Sequence, residues 1–136
     1  MRYPVILKAD GTFILARFPD VSAHTQGTSR EDALHHALDA LETALMYILG
    51  TPNLIPLPSP VKRGQSYVDL PPSIAAKILL HNEMVKQKVR PAELARRMSI
   101  PHGKLMRVLS LKYKTKFETT ELALNALGKH FEFSVV

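Results

Sequence analysis

Apolar residues recur at two different periods along this chain, and each change of period marks an element. From Arg2 to Lys8 (RYPVILK), Tyr3, Val5 and Leu7 alternate with Arg2, Pro4, Ile6 and Lys8, which predicts a strand. Asp10-Gly11 is a hairpin-turn signal, and Thr12–Phe18 returns as a second strand dominated by β-branched and aromatic residues. Pro19-Asp20 ends it, and Ala23–Gly27 (AHTQG) is short and polar enough for an edge strand. From Ser29 the period lengthens. Leu34, Leu38, Leu41, Leu45 and Ile48 fall at helical spacing, and Ala33, Ala37, Ala40 and Ala44 widen the stripe. Ser29 is placed to cap this helix, Asp32 sits in its acidic first turn, and Gly50 stops it. Such a helix must lie on something, and the preceding hairpin is the surface at hand.

Thr51–Pro60 (TPNLIPLPSP) has four prolines in ten residues, so it is neither helix nor central strand. Its Leu54, Ile55 and Leu57 predict an extended segment laid on the first module. Gln65–Leu70 offers one more strand. A helix from Ser73 to the vicinity of Lys88 turns Ile74, Ile78, Leu79, Met84 and Val85 inward. Two short helical patterns then fill Arg90–Leu109, joined tightly at Ser99-Ile100-Pro101. Leu94, Ala95, Met98, Ile100, Leu105, Val108 and Leu109 face inward there, while Arg96, Arg97, His102, Lys104 and Arg107 are free to face outward. After a lysine-rich loop, Thr120–Leu127 predicts a last helix burying Leu122, Ala123, Ala126 and Leu127, closed by Gly128. The tail Phe131–Val136 alternates as a strand would. A lone terminal strand leaves an unpaired edge, which pairing with a second copy across a two-fold axis would resolve.

The Arg90–Leu109 pair resembles a helix-turn-helix of the Cro/repressor type. In that family the second helix enters the major groove and the first crosses the phosphate backbone. Ser99 stands where this pattern usually has Gly, at a position expected to need positive φ. Charge strengthens the reading. Residues 1–60 carry four Lys/Arg against six Asp/Glu, whereas residues 61–136 carry fourteen against six, so the net +6 hides a −2 front and a +8 back. A basic surface on such a helix pair is what phosphate neutralisation requires.

At 136 residues with 46% apolar content, the chain is long enough for one domain or two small ones with buried cores. It has no cysteine, which excludes disulfides, zinc-thiolate sites and thiol catalysis. MRYPVILKADG turns too early for a signal peptide, and no apolar run reaches membrane-spanning length, so a cytoplasmic protein away from membranes is expected.

The order strand, turn, strand, Thr25-Gln26-Gly27-Thr28, then an Ala/Leu-rich helix with Glu31, Ala33 and Leu34 resembles the HicB-type antitoxin domain. Leu54–Pro60 (LIPLPSP) is similar to the connector in members that carry a C-terminal helix-turn-helix. The resemblance spans essentially the whole chain. It implies an α+β protein: an N-terminal partial RNase-H-like antiparallel sheet with one helix over residues 1–60 (its last strand possibly 65–70), a connector over 61–72, and a helix-turn-helix and dimerisation domain over 73–136. It further implies that the front binds and blocks a small RNA-cleaving HicA-type toxin, while the back represses the operon through double-stranded operator DNA as a dimer or a dimer of dimers. The alternative is a stand-alone dimeric transcriptional regulator with a sensing or dimerisation module in front.

Aligned on the repressor pattern, His102, Gly103, Lys104 and Arg107 fall where a recognition helix faces DNA. Arg107 is the candidate for a bidentate contact to guanine, Lys104 for a base or a phosphate, and His102 for backbone or base. Gly103 is unusual inside a helix, and close approach of DNA would account for it. Lys112, Lys114 and Lys116 on the loop, with Arg96, are candidates for phosphates. Glu31, Asp32, Asp39 and Glu42, with Asp20, are available acidic contacts for a basic toxin, and the edge at Ala23–Gly27 is available for main-chain pairing. No enzyme, cofactor or metal is expected. A two-metal nuclease needs converging carboxylates, but Asp10 belongs to a turn, Asp20 to a loop, Glu42 to a helix flank and Asp69 to a separate strand. His35-His36 are adjacent on a helix and diverge, so they lack the spacing of a ligand pair.

Overall fold

The Asp10-Gly11 signal folds Arg2–Asp10 (β1) back on Phe13–Arg17 (β2) with Asp10 opposite Phe13. This leaves Gly11 and Thr12 in the turn, where Gly11 takes φ +62. His24–Gly27 (β3) pairs with the outer side of β2, and Ser66–Asp69 (β4) pairs with the N-terminal half of β1. The result is an antiparallel sheet in the order β3-β2-β1-β4. Pro4 is tolerated within β1 because the β2 ladder has already ended at Ile6 opposite Arg17.

The computed structural model describes residues 1–135. Residues 1–50 and 56–71 form one compact unit, and residues 51–55 together with those from 72 onward form another.

In the first unit, Arg30–Leu49 (α1) packs across all four strands. The predicted stripe is rotated. The fully buried line is Ala33, Ala37, Leu41 and Leu45, while Leu34, Leu38 and Ile48 are half-buried beside it. Small residues win at the helix start because the sheet edge comes very close. A Cβ on Gly27 would stand 2.3 Å from the Ala33 amide nitrogen, so only glycine fits in β3 there. The start of α1 is closed locally. The Ser29 hydroxyl accepts from the Asp32 amide at 3.1 Å, and the Asp32 carboxylate accepts from the Thr28 amide at 2.8 Å. The Thr28 N–H holds the Asp32 carboxyl below the usual carboxylate range.

The proline-rich segment divides. Its second part stays with the first unit: the Tyr3 hydroxyl donates to the Pro56 carbonyl at 2.9 Å, and the Asp20 carboxylate accepts from the Ser59 amide and hydroxyl at 2.9 and 2.8 Å. Burial, with the Asp20 charge nearby, pushes the Tyr3 phenol up to about 12. The first part, Thr51–Ile55, belongs instead to the second unit. The expectation that the whole of Thr51–Pro60 lies on the first module holds only from Pro56 onward.

The second unit is built from Pro72–Gln87 (α2), Pro91–Met98 (α3), His102–Leu109 (α4) and Phe117–Asn125 (α5). Leu80, Met84, Leu94, Ala95, Leu105, Val108, Ala123, Leu124 and Leu127 make its core. Burying one such leucine contributes about 1.5–3 kcal/mol. Two expectations fail here. Leu79 lies at the edge of the buried face, at 36% exposure, while Lys77, His81 and Asn82 are buried instead. Because α5 begins at Phe117, its buried positions are Thr120, Ala123 and Leu124, and Leu122 is 62% exposed. The terminal strand is not formed over residues 131–135. Among its described residues this unit has no strand, so the expected pairing calls for a second copy, and in the single chain the Phe131 and Phe133 rings lie 5.1 and 5.2 Å from Phe117. Val136 lies outside the described residues.

Replacing Gly27 with Ala should destabilise the first unit by about 1–3 kcal/mol, since the added methyl must displace backbone rather than a side chain. Urea unfolding of the full chain checks this, and an unchanged transition would refute the close-approach account.

Candidate functional site

The α3–α4 pair owes its geometry to two leucines and two turn residues. Leu94 and Leu105 are fully buried, with Ala95 and Val108 nearly so, while Met98, Ile100 and Leu109 are half-buried around them. The helices are short, and their opposite faces remain in solvent. α3 ends where Ser99 enters the left-handed region (φ 56, ψ 42), and the Ile100 amide then donates back to the Ala95 carbonyl at 3.1 Å. α2 ends in the same manner at Lys88 (φ 56), with the Val89 amide donating to Met84 O at 2.9 Å. Pro101 precedes α4 as its cap position, one residue ahead of the helix, and offers no side chain to its first amides.

The outward side of α4 carries His102, Gly103, Lys104, Met106 and Arg107, all exposed. A Cβ on Gly103 would meet nothing within 4 Å, so packing inside the chain does not require glycine there. Lys112, Lys114 and Lys116 are exposed on the segment that leads to α5. Four predicted positions thus share α4, and three follow on the next loop. Arg96 differs from them. Glu93, three residues earlier on α3, pairs with Arg96 and also with Arg97, whose Nε lies 3.1 Å from the carboxylate. Exposed pairs of this kind contribute under about 1 kcal/mol, so an incoming anion displaces them readily. Taken together, the surface is suited to an extended polyanion.

Three polar groups that the pattern of apolar residues overlooked are buried in α2. Lys77 Nζ donates to the Ser110 carbonyl at 2.6 Å and the Tyr113 carbonyl at 2.7 Å, and burial lowers its pKa from the ordinary lysine value. His81 Nε2 lies 2.7 Å from the Asn53 carbonyl. The Asn82 side chain pairs with both backbone groups of Ile55, accepting at 2.8 Å and donating at 2.9 Å. A signal for two of them was present: positions 74, 77, 78, 81 and 84 follow one helical stripe that passes through Lys77 and His81.

In the first unit the acidic side chains are dispersed. Asp10 closes β1, Asp20 holds Ser59, Glu42 lies on α1, and Asp69 on β4 pairs with the Met1 amine at 3.1 Å and with Arg2 at 3.6 Å. His36 Nδ1 lies 3.0 Å from the Gln26 carbonyl, and its ring centroid is 5.8 Å from that of His35. Among the described residues no three His, Asp or Glu side chains converge as metal ligands, and no helix is long and apolar enough to cross a membrane. Glu31 and Asp39 are exposed on α1, with Asp32 and Glu42 half-exposed.

Residues 2–79 match the family described as HicB-like antitoxin of bacterial toxin–antitoxin systems. Antitoxin HicB 2 of Photorhabdus laumondii is 43% identical over all of this chain and 97% of its own length. Antitoxin HicB of Escherichia coli K12 is 36% identical over the full length of both, and that of Pseudomonas fluorescens is 34% identical over 88% of this chain and 82% of its own. Matches of this extent define an antitoxin of a bacterial toxin–antitoxin system. The chain belongs to the HicB-like family.

Ser99→Gly should stabilise the chain. It relieves about 1–2 kcal/mol of left-handed strain and gives back about half of that through a more flexible unfolded chain. A raised urea midpoint with unchanged slope is expected, and a lowered midpoint would contradict the strain assignment.

Proposed function

We propose that this antitoxin neutralises a small RNA-cleaving HicA-type toxin through its first unit and represses its own operon through its second. In this reading the sheet with α1 is a partial RNase-H-like fold, and α3–α4 is a helix-turn-helix with α4 as recognition helix. The observation that carries the DNA half is the placement of His102, Gly103, Lys104 and Arg107 on the one solvent face of α4, with three exposed lysines immediately after it. Arg107 reads a base, Lys104 a base or a phosphate, and His102 lies at the unpaired amides of the helix start, where phosphate binds well. Gly103, free of any packing duty, lets the DNA approach the helix backbone closely. Lys112, Lys114 and Lys116 neutralise phosphates, and Arg96 does so by exchanging Glu93 for one.

The toxin half rests on family membership. The acidic side chains of α1 suit a basic, RNA-binding partner. The protein acts as a dimer or a dimer of dimers, as half-site recognition demands. Leu122, Phe133 and Val135 are 62%, 69% and 100% exposed, Phe133 within a ring cluster with Phe117 and Phe131, and supply apolar contacts for a second copy.

Co-expression with the small open reading frame beside its gene tests the toxin half. A basic protein of well under 100 residues should co-purify and lose its toxicity; an absent or unaffected partner refutes it. For the DNA half, Arg107→Ala should cost about 1–3 kcal/mol on the operator and relax preference at one base pair, while Lys114→Ala should weaken specific and random DNA alike. Mobility shifts on both duplexes decide, and equal loss on the two from Arg107→Ala would end its base-reading role.

A further inference from the structure

Lysine is rarely buried without a carboxylate, because removing an ammonium from water is costly unless the charge is paired. Lys77 is 2% exposed, and none of the ion pairs among the described residues includes it. Its Nζ is held by two backbone carbonyls alone, at Ser110 and Tyr113. Ser110 is the cap residue at the end of α4, so its carbonyl lies at the negative end of that helix. Both acceptors belong to one turn of loop, and a single ammonium draws them together. The side chains of Lys112 and Lys114 project from that turn into solvent. An apolar residue of similar length in place of Lys77 would avoid the desolvation cost, and the carbonyls of half-buried Ser110 and exposed Tyr113 can turn to water instead. Stability alone therefore gives little reason for a charge at this position.

We propose that Lys77 is a positioning residue for nucleic-acid binding: by clamping the carbonyls of Ser110 and Tyr113, it holds Lys112 and Lys114 at the end of α4 in the arrangement that meets the phosphate backbone. This rests on the operator-binding reading. Cations ordered beforehand do not have to be ordered by the DNA, so the clamp acts on affinity for every sequence rather than on base choice. Its buried charge also adds to the positive field at that end of the helix.

The test uses the full chain, with Lys77→Met and Lys77→Gln. Binding to a duplex carrying the promoter of its own gene and to a random duplex is followed by fluorescence anisotropy across a salt series. Thermal unfolding and hydrogen exchange of residues 110–116 accompany it. Both variants should unfold within a few degrees of the parent, with faster exchange confined to that loop. Lys77→Met should bind both duplexes about three- to tenfold more weakly, and its plot of log affinity against log salt should be shallower by about one phosphate contact. Lys77→Gln, which keeps a neutral donor, should fall between. A slope and affinity equal to the parent's overturn the proposal, as does a loss restricted to the promoter duplex. If neither variant folds, Lys77 is a residue of stability and the proposal is equally overturned. A parent chain that binds neither duplex sinks the operator-binding reading itself, and the proposal with it, a result distinct from any difference between variants.

Discussion

The second unit depends on a helix that satisfies other people's carbonyls. The irregular backbone at Asn53–Ile55 would leave the polar groups of buried Ile55 without partners, and a buried unpaired group costs about 1–3 kcal/mol. α2 answers this with two adjacent side chains. Asn82 gives Ile55, which is 2% exposed, the pair of bonds that a neighbouring strand would otherwise supply, and His81 takes the Asn53 carbonyl. Lys77 holds two carbonyls of the loop beyond α4, on residues that are half-buried and exposed. No buried side-chain nitrogen or oxygen among the described residues is left without a partner. The packing of Leu94 on Leu105 shapes the α3–α4 pair, but the segments before and after it are placed by polar bonds.

What the chain's pattern made legible follows from how each element is buried. α1, α3 and α4 each hide one face and wet the other, so their periods were visible and their outward residues, His102 to Arg107 among them, could be named. The failures have a common cause: hydrophobicity was counted where size or polarity decided. Gly27 and Ala33 meet because neither has bulk, and a stripe scored by leucines pointed to Leu34 and Leu38 instead. Lys77 and His81 lie on the correct helical spacing, but a pattern of apolar residues passes over them. The tail alternates like a strand, and the edge that a strand requires is one that a second copy, rather than the helices of its own unit, would supply. Glu93 with Arg96 and Arg97 was readable from spacing alone, since residues three and four apart share a helix face.

Charge follows the structural division more sharply than it follows the midpoint of the chain. Assigning Lys62, Arg63 and Asp69 to the first unit gives that unit six basic and seven acidic residues, against twelve and five in the second. The whole basic excess thus resides in the helical unit, while the sheet unit is close to neutral, with four of its seven carboxylates on α1.

The chain leaves the first unit after Gly50, contributes five residues to the second, returns at Pro56, and crosses again after Pro71. Modular proteins commonly exchange domains by recombination, because one junction in the gene separates one fold from the next. Here no single junction does. A crossover at Pro72 would deliver a helical unit whose Asn82 and His81 face an unfamiliar segment in place of Asn53–Ile55. Donor and recipient would therefore have to agree in a short stretch encoded well upstream of the module being exchanged. This threading makes the two halves heritable together, which binds the sheet and the helical parts of the antitoxin to a shared evolutionary history.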